Sequence, residues 1–162
     1  MALFRQQSLL CPAAKAGGYG TINFVLERPD MFAAGAALSP ASYLPYPPPT
    51  SSAHRHPAFL ASDGKFDEEL WDQLNYTQYI EAYKVQDVVV PLYINSGDHD
   101  RFDIAYHAAV LYQSLREHQP NRVEFRVVDG DHEWAVWAGT LPEALTYIFQ
   151  FSSRPTGQSQ SN

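Results

Sequence analysis

Apolar positions along this chain fall into two rhythms, helical spacing and short buried runs, and the two alternate. A short apolar run at Leu9-Leu10-Cys11 comes first. Gly17-Gly18-Tyr19-Gly20 then opens a helix with Ile22, Val25 and Leu26 on one face, closed by Pro29. Residues 33–38 are small and apolar, as a buried strand would be, and Ser39-Pro40 ends them. Residues 66–74 place Phe66, Leu70, Trp71 and Leu74 at helical spacing, with Asp67, Glu68 and Glu69 as a solvated helix start. Residues 88–94 are apolar apart from Pro91, which predicts a strand buried on both faces, although proline fits poorly in such a strand. Asp103 reads as the N-cap of a helix with Ile104, Ala108, Leu111 and Leu115 on one face, stopped by Pro120. Val123, Phe125 and Val127 alternate with Glu124 and Arg126, the pattern of a half-exposed strand near a sheet edge. Thr140-Leu141-Pro142-Glu143 has capping-box spacing ahead of a helix carrying Leu145, Ile148 and Phe149. Helix and strand in turn mean βαβ units, so the expected fold class is α/β, a mostly parallel sheet with helices on both faces.

One stretch breaks the rhythm. Residues 41–65 contain Tyr43, Tyr46, Pro47-Pro48-Pro49, His54 and His56 and predict no element. Connections of that length without structure of their own are uncommon in compact domains and point to function or mobility.

Composition narrows the function classes. The 162 residues are one domain's worth, and 45% hydrophobic content is ample for a core. A formal net charge of -7 argues against nucleic acid or an anionic membrane as main partner, since both need a cationic face. Cys11 is the sole cysteine, so neither an internal disulfide nor a thiolate metal cluster can form within one chain. The first eleven residues lack a signal-peptide core, and no stretch reaches the ~18 apolar residues of a membrane span. A cytoplasmic protein is therefore expected, with residues 152–162, rich in Ser, Gln, Gly and Pro, as a disordered tail.

Candidate chemistry gathers after two of the strands. Ser96-Gly97-Asp98-His99-Asp100 follows the apolar run that ends at Ile94, and Gly130-Asp131-His132-Glu133-Trp134 follows the strand ending near Val128. In open parallel sheets reactive groups collect at the carboxyl ends of strands, so Asp100 and His132 should project to one edge. A lone loop histidine is more often a structural hydrogen-bonder, and it is the pairing that raises the interest. Asp98, His99, Asp100, Asp103 and His107 offer metal ligands but match neither an EF-hand nor a zinc pattern, so neither metal nor other cofactor is expected. Trp134 and Tyr43 are candidates for the wall of an acyl pocket, as core aromatics are equally, and the same holds for Trp137 and Tyr46.

These motifs, with Arg28-Pro29-Asp30-Met31-Phe32, Leu38-Ser39-Pro40-Ala41 and Trp137, resemble the esterase branch of the α/β-hydrolases over residues 16–149. That branch includes esterase D, S-formylglutathione hydrolases, enterochelin esterases and acetyl or feruloyl esterases. The resemblance implies that His132 is the general base, Asp100 the carboxylate orienting it, and Ala16 the source of one oxyanion-hole N–H. Asp98 is the weaker candidate for the acid, because the family's spacing puts the carboxylate three residues after Gly97. The nucleophile serine of a G-x-S-x-G turn falls on Lys15, within Ala13-Ala14-Lys15-Ala16-Gly17. Ser8 lies outside any such turn and Ser39 at the family's strand end. What is implied is the C-terminal part of a serine esterase acting on a small acyl ester, truncated or frame-disrupted over residues 1–16 and impaired by Lys15. The alternatives are a non-catalytic interaction protein and a piece that works with a partner. Without the earlier strands of the family, an open sheet edge beside residues 9–11 predicts self-association.

Overall fold

A computed structural model of the chain describes residues 9–152. Ser8 and, save for its first residue, the tail expected over residues 152–162 lie outside the described residues. Four strands, β1 (Leu9–Ala14), β2 (Phe32–Leu38), β3 (Leu92–Gly97) and β4 (Val123–Val128), form one sheet in chain order. Every pairing is parallel.

The side chains of β2 explain how the layers close. Its Phe-Ala-Ala-Gly-Ala-Ala-Leu sequence is almost entirely small, so helices approach both faces closely. Ala34, Ala36 and Leu38 face α5 (Trp134–Phe149) together with Tyr93 of β3. Ala37, Leu92, Ile94 and Val123 face the other way, onto α1 (Ala16–Glu27) and α4 (Ile104–His118). Ile22, Val25 and Leu26 of α1, and Leu111 and Leu115 of α4, are almost fully buried there, each worth about 1.5–3 kcal/mol of transfer free energy. The two middle strands are buried nearly throughout, whereas β1 and β4 at the margins of the described sheet are half-exposed.

Several elements depart from expectation. β3 begins at Leu92 rather than near 88, because Pro91 has no N–H for the ladder; its carbonyl accepts from Gly35 and pairing proper starts one residue later. Asp103 stands at the N-cap position but in the left-handed conformation, φ 55°, and makes no capping hydrogen bond. α5 starts at Trp134 and carries Pro142 inside it. Thr140 does not cap, since its hydroxyl donates back to the Val136 carbonyl at 2.7 Å, and Glu143 pairs instead with Arg126. Asp67 is more than a solvated charge: it caps α2 (Glu68–Leu74) by accepting from the N–H groups of Glu69 and Leu70.

Residues 41–65 are also ordered. They contain 3-10 turns at Ser52–Arg55 and Pro57–Phe59 and a bridge between Leu60 and Phe66. Tyr43 and Phe59 from this stretch join Trp71 of α2 and Ile104 of α4 in a separate aromatic cluster. A short helix, α3 (Ile80–Lys84), follows a 3-10 turn at Tyr76–Gln78, and neither was foreseen. No helix among the described residues is long and apolar enough to cross a membrane.

Candidate active site

The turn between β1 and α1 sets the site. Lys15, alone between strand and helix, has φ 56° and ψ -123°, a conformation that costs an L-residue about 1–3 kcal/mol. The fold around it holds it there: Lys15 N–H donates to the Leu38 carbonyl at 3.0 Å, and its own carbonyl accepts from Tyr19 N–H. The turn is also tight. A Cβ on Gly17 would lie 2.9 Å from the Cβ of Ala13, so alanine at one of these positions uses the space that glycine at the other leaves free. Lys15 itself is exposed, and its Nζ lies 4.5 Å from the centre of the Trp137 ring, a cation–π contact. Ala16, the first residue of α1, carries one of the N–H groups that a helix leaves without an internal partner.

Asp100 and His132 meet after β3 and β4. His132 Nδ1 lies 2.7 Å from Asp100 Oδ2, and only about 1% of the Asp100 side chain and 9% of the His132 side chain are exposed. A carboxylate accepts, so Nδ1 carries the proton and Nε2 is left for a bound molecule. The imidazole is also gripped edge-to-face between Phe102 at 5.0 Å and Trp137 at 5.1 Å. Asp100 further accepts from Phe102 N–H at 3.0 Å.

A second layer of contacts locks the two loops to each other. Asp131 accepts from Arg101 at 2.6 and 3.2 Å, from Arg101 N–H, and from the backbone N–H of His132 at 2.6 Å. The Arg101 guanidinium and these N–H groups hold the Asp131 carboxyl well below the usual carboxylate range. Asp98 accepts from Gly130 N–H at 3.0 Å, which lowers its pKa likewise. Gly97 must be glycine here, because a Cβ would sit 2.1 Å from the Gly130 carbonyl oxygen. Asp98 thus braces a loop and lies away from the His132 ring contact that Asp100 makes.

A cavity of about 490 Å³ lies beside these groups, within the range usual for small-molecule sites. Lys15, Ala16 and His132 line one part of it and Tyr19, Tyr43, Phe59, Trp71 and Phe102 another. Burial pushes the Tyr19 and Tyr43 phenols up to about 12. Ser51, Ser52, Arg55 and His56 complete the wall from the stretch that carried no predicted element. Trp134, expected as a pocket wall, is 76% exposed and stacks edge-to-face on Trp137 outside the cavity. It sits where α5 begins, and the helix turns Trp137 inward in its place. Ser39 is fully buried and accepts from Trp137 Nε1 at 3.0 Å, a packing role. Asp98, His99 and Asp129 form an exposed group with ligand-like spacing, the one such group among the described residues.

Sequence reasoning missed Trp71, Phe59 and Arg55. Trp71 had a signal, its place on an apolar helical face, but nothing in spacing alone separates a residue facing a cavity from one facing core.

The parallel sheet and its covering helices have counterparts in solved structures. A ferulic acid esterase superposes with a TM-score of 0.65 over 86% of this chain and 50% of its own, at 23% identity. The enterochelin esterase of Shigella flexneri gives 0.62 over 91% and 32%, at 18% identity. The S-formylglutathione hydrolase of Staphylococcus aureus gives 0.61 over 90% and 53%, at 19% identity. The fold is that of the α/β-hydrolases. This chain spans about a third to a half of the length of these structures. No protein-family model and no curated protein sequence matches it.

Proposed function

We propose that the chain derives from serine carboxylic-ester hydrolases, keeps their acid–base pair in Asp100 and His132, and binds a small acyl compound without turning it over by serine chemistry. The observation that carries this reading is the lysine at the strained turn beside an otherwise ordered histidine–aspartate pair. A lysine that attacked an ester would release the alcohol and keep the acyl group as an amide, which water does not readily remove. Loss of a triad serine typically lowers turnover ~10⁶-fold, or roughly 8 kcal/mol of barrier. Ala16 is the proposed oxyanion donor and Tyr43 a wall for the acyl group.

The test is hydrolysis of p-nitrophenyl acetate and butyrate by the purified chain. Turnover no greater than that of a His132→Ala variant is the expected result. Robust turnover blocked by a serine-directed phosphonate would overturn the reading and direct attention to Ser51 or Ser52 on the cavity wall.

A second reading, association through the margin of the sheet, draws on the half-exposed β1 and on Leu9, which is 49% exposed. An accessible strand edge templates pairing with another chain. Sedimentation velocity should then show concentration-dependent association, and a monodisperse monomer at all concentrations would remove it.

A further inference from the structure

The charge around the cavity is opposite to that of the chain. The sequence holds 18 acidic residues against 11 lysines and arginines. Yet the ionisable side chains lining the cavity are Lys15, Arg55, His56 and His132, besides the two tyrosines, and none of the described residues lining it is Asp or Glu. Neither Lys15 nor Arg55 forms an ion pair among the described residues, whereas Arg28, Lys65, Lys84, Arg101 and Arg126 all do. Asp100, the carboxylate held against His132 of the cavity wall, is itself engaged by the His132 ring. Two cations without acidic partners facing one concavity favour an anion there, and low-dielectric walls strengthen that field.

The rest of the cavity specifies the anion's body. Trp71 is 1% exposed, with Tyr19 stacked on it at 5.5 Å and Phe59 edge-on at 5.0 Å. Together they make a packed aromatic wall on one side of the cavity. We propose that the cavity binds an aromatic carboxylate, its charge against the Lys15 ammonium and its ring against that wall. A lysine where a hydroxyl would react turns a site for a neutral ester into one for the free acid. The inference rests on the reading of Lys15 as a binding group rather than a reacting one.

The experiment is isothermal titration of the full chain with phenylacetate and with methyl phenylacetate, at low and high salt. The acid should bind about tenfold tighter than its ester, the size of one charge-assisted contact, and that preference should shrink with salt. Lys15→Gln should abolish most of the preference by weakening the acid far more than the ester; Lys15 is exposed, so the variant should fold. Arg55→Gln serves as the second variant and should weaken the acid alone. Equal affinity for acid and ester, a preference untouched by Lys15→Gln, or no measurable binding of the acid would each overturn the proposal. Methanol release from the ester, followed separately, would count against the proposed function and not against this inference.

Discussion

The two halves of this site differ in what holds them. On one side Asp100 holds His132, Phe102 and Trp137 grip the ring, and Arg101, Asp131 and Asp98 tie the two loops together. On the other, at the elbow between β1 and α1, the backbone keeps a strained turn that bears an exposed lysine. Strained backbone persists when the surrounding structure over-determines it. Here the turn is imposed by the β1–β2 pairing and by α1, so it survives independently of what Lys15 does. The comparison teaches that packing around a strained turn can hold it whatever side chain the turn carries.

The largest effect should come from placing a hydroxyl at the elbow. Lys15→Ser should react with a fluorophosphonate about 10²–10⁴-fold faster than the parent chain, the usual contribution of a positioned general base. His132→Ala in that background should remove the gain. If Lys15→Ser stays as inert as the parent chain, the two sides are not aligned for proton transfer, and the comparison between them fails at its centre.

Next in size is loss of the buried carboxylate. Asp100→Ala leaves the His132 Nδ1–H and the Phe102 N–H without their acceptor in a site almost closed to solvent. Each orphaned donor costs about 1–3 kcal/mol, so urea unfolding should show a loss of about 2–6 kcal/mol. Asp100→Asn, which keeps an acceptor and the volume, should cost distinctly less. Equal losses would mean that volume and not hydrogen bonding holds the two loops.

The same division governs what could be read without coordinates. β2, β4, α1 and α4 were legible because their apolar spacing is also their burial, as Ile22, Val25 and Leu26 show. Asp100 and His132 were legible as candidates because each follows a strand, and strand ends converge. The aromatic wall was not, because Tyr19, Phe59 and Trp71 come from three separate elements and meet only through tertiary packing. The start of α5 was missed for a local reason: Pro142 and the capping-box spacing suggested a helix start, but Thr140 bonds backward to Val136 and the helix runs through.

A smaller effect isolates the strain. Lys15→Ala keeps the costly φ and loses the contact over Trp137, which is worth about 0.5–1 kcal/mol. Lys15→Gly loses the same contact but relaxes the turn, less the extra chain entropy that glycine gives up on folding. Lys15→Gly should therefore be the more stable of the two, by about 1 kcal/mol in chemical denaturation. Identical stabilities would show that the elbow is not strained, and the structural explanation for its persistence would fall.

The smallest effect concerns a second histidine, packed against Tyr43 of the cavity wall, whose Nδ1 accepts where that of His132 donates. His107 Nδ1 accepts the Leu44 N–H at 3.1 Å, and Tyr43 and Tyr106 pack edge-on against its ring. An acceptor nitrogen must be unprotonated, and burial lowers the His107 pKa from 6.5, with Asp103 opposing that shift. As pH falls below 6.5 the unfolded chain therefore takes up this proton first. The contribution of His107 to stability is complete above that value and is lost as pH falls toward the folded-state pKa. Thermal unfolding at about pH 7.5 and about pH 5.5 should show a larger acid-side drop for the parent chain than for His107→Leu, which has no proton to take up. The variant will be less stable at both values because Leu44 loses its acceptor, so the readout is the difference in slope and not in level. Parallel pH profiles would mean that His107 is already free to protonate, and that its surroundings are looser than its contacts with Leu44 and Tyr43 imply.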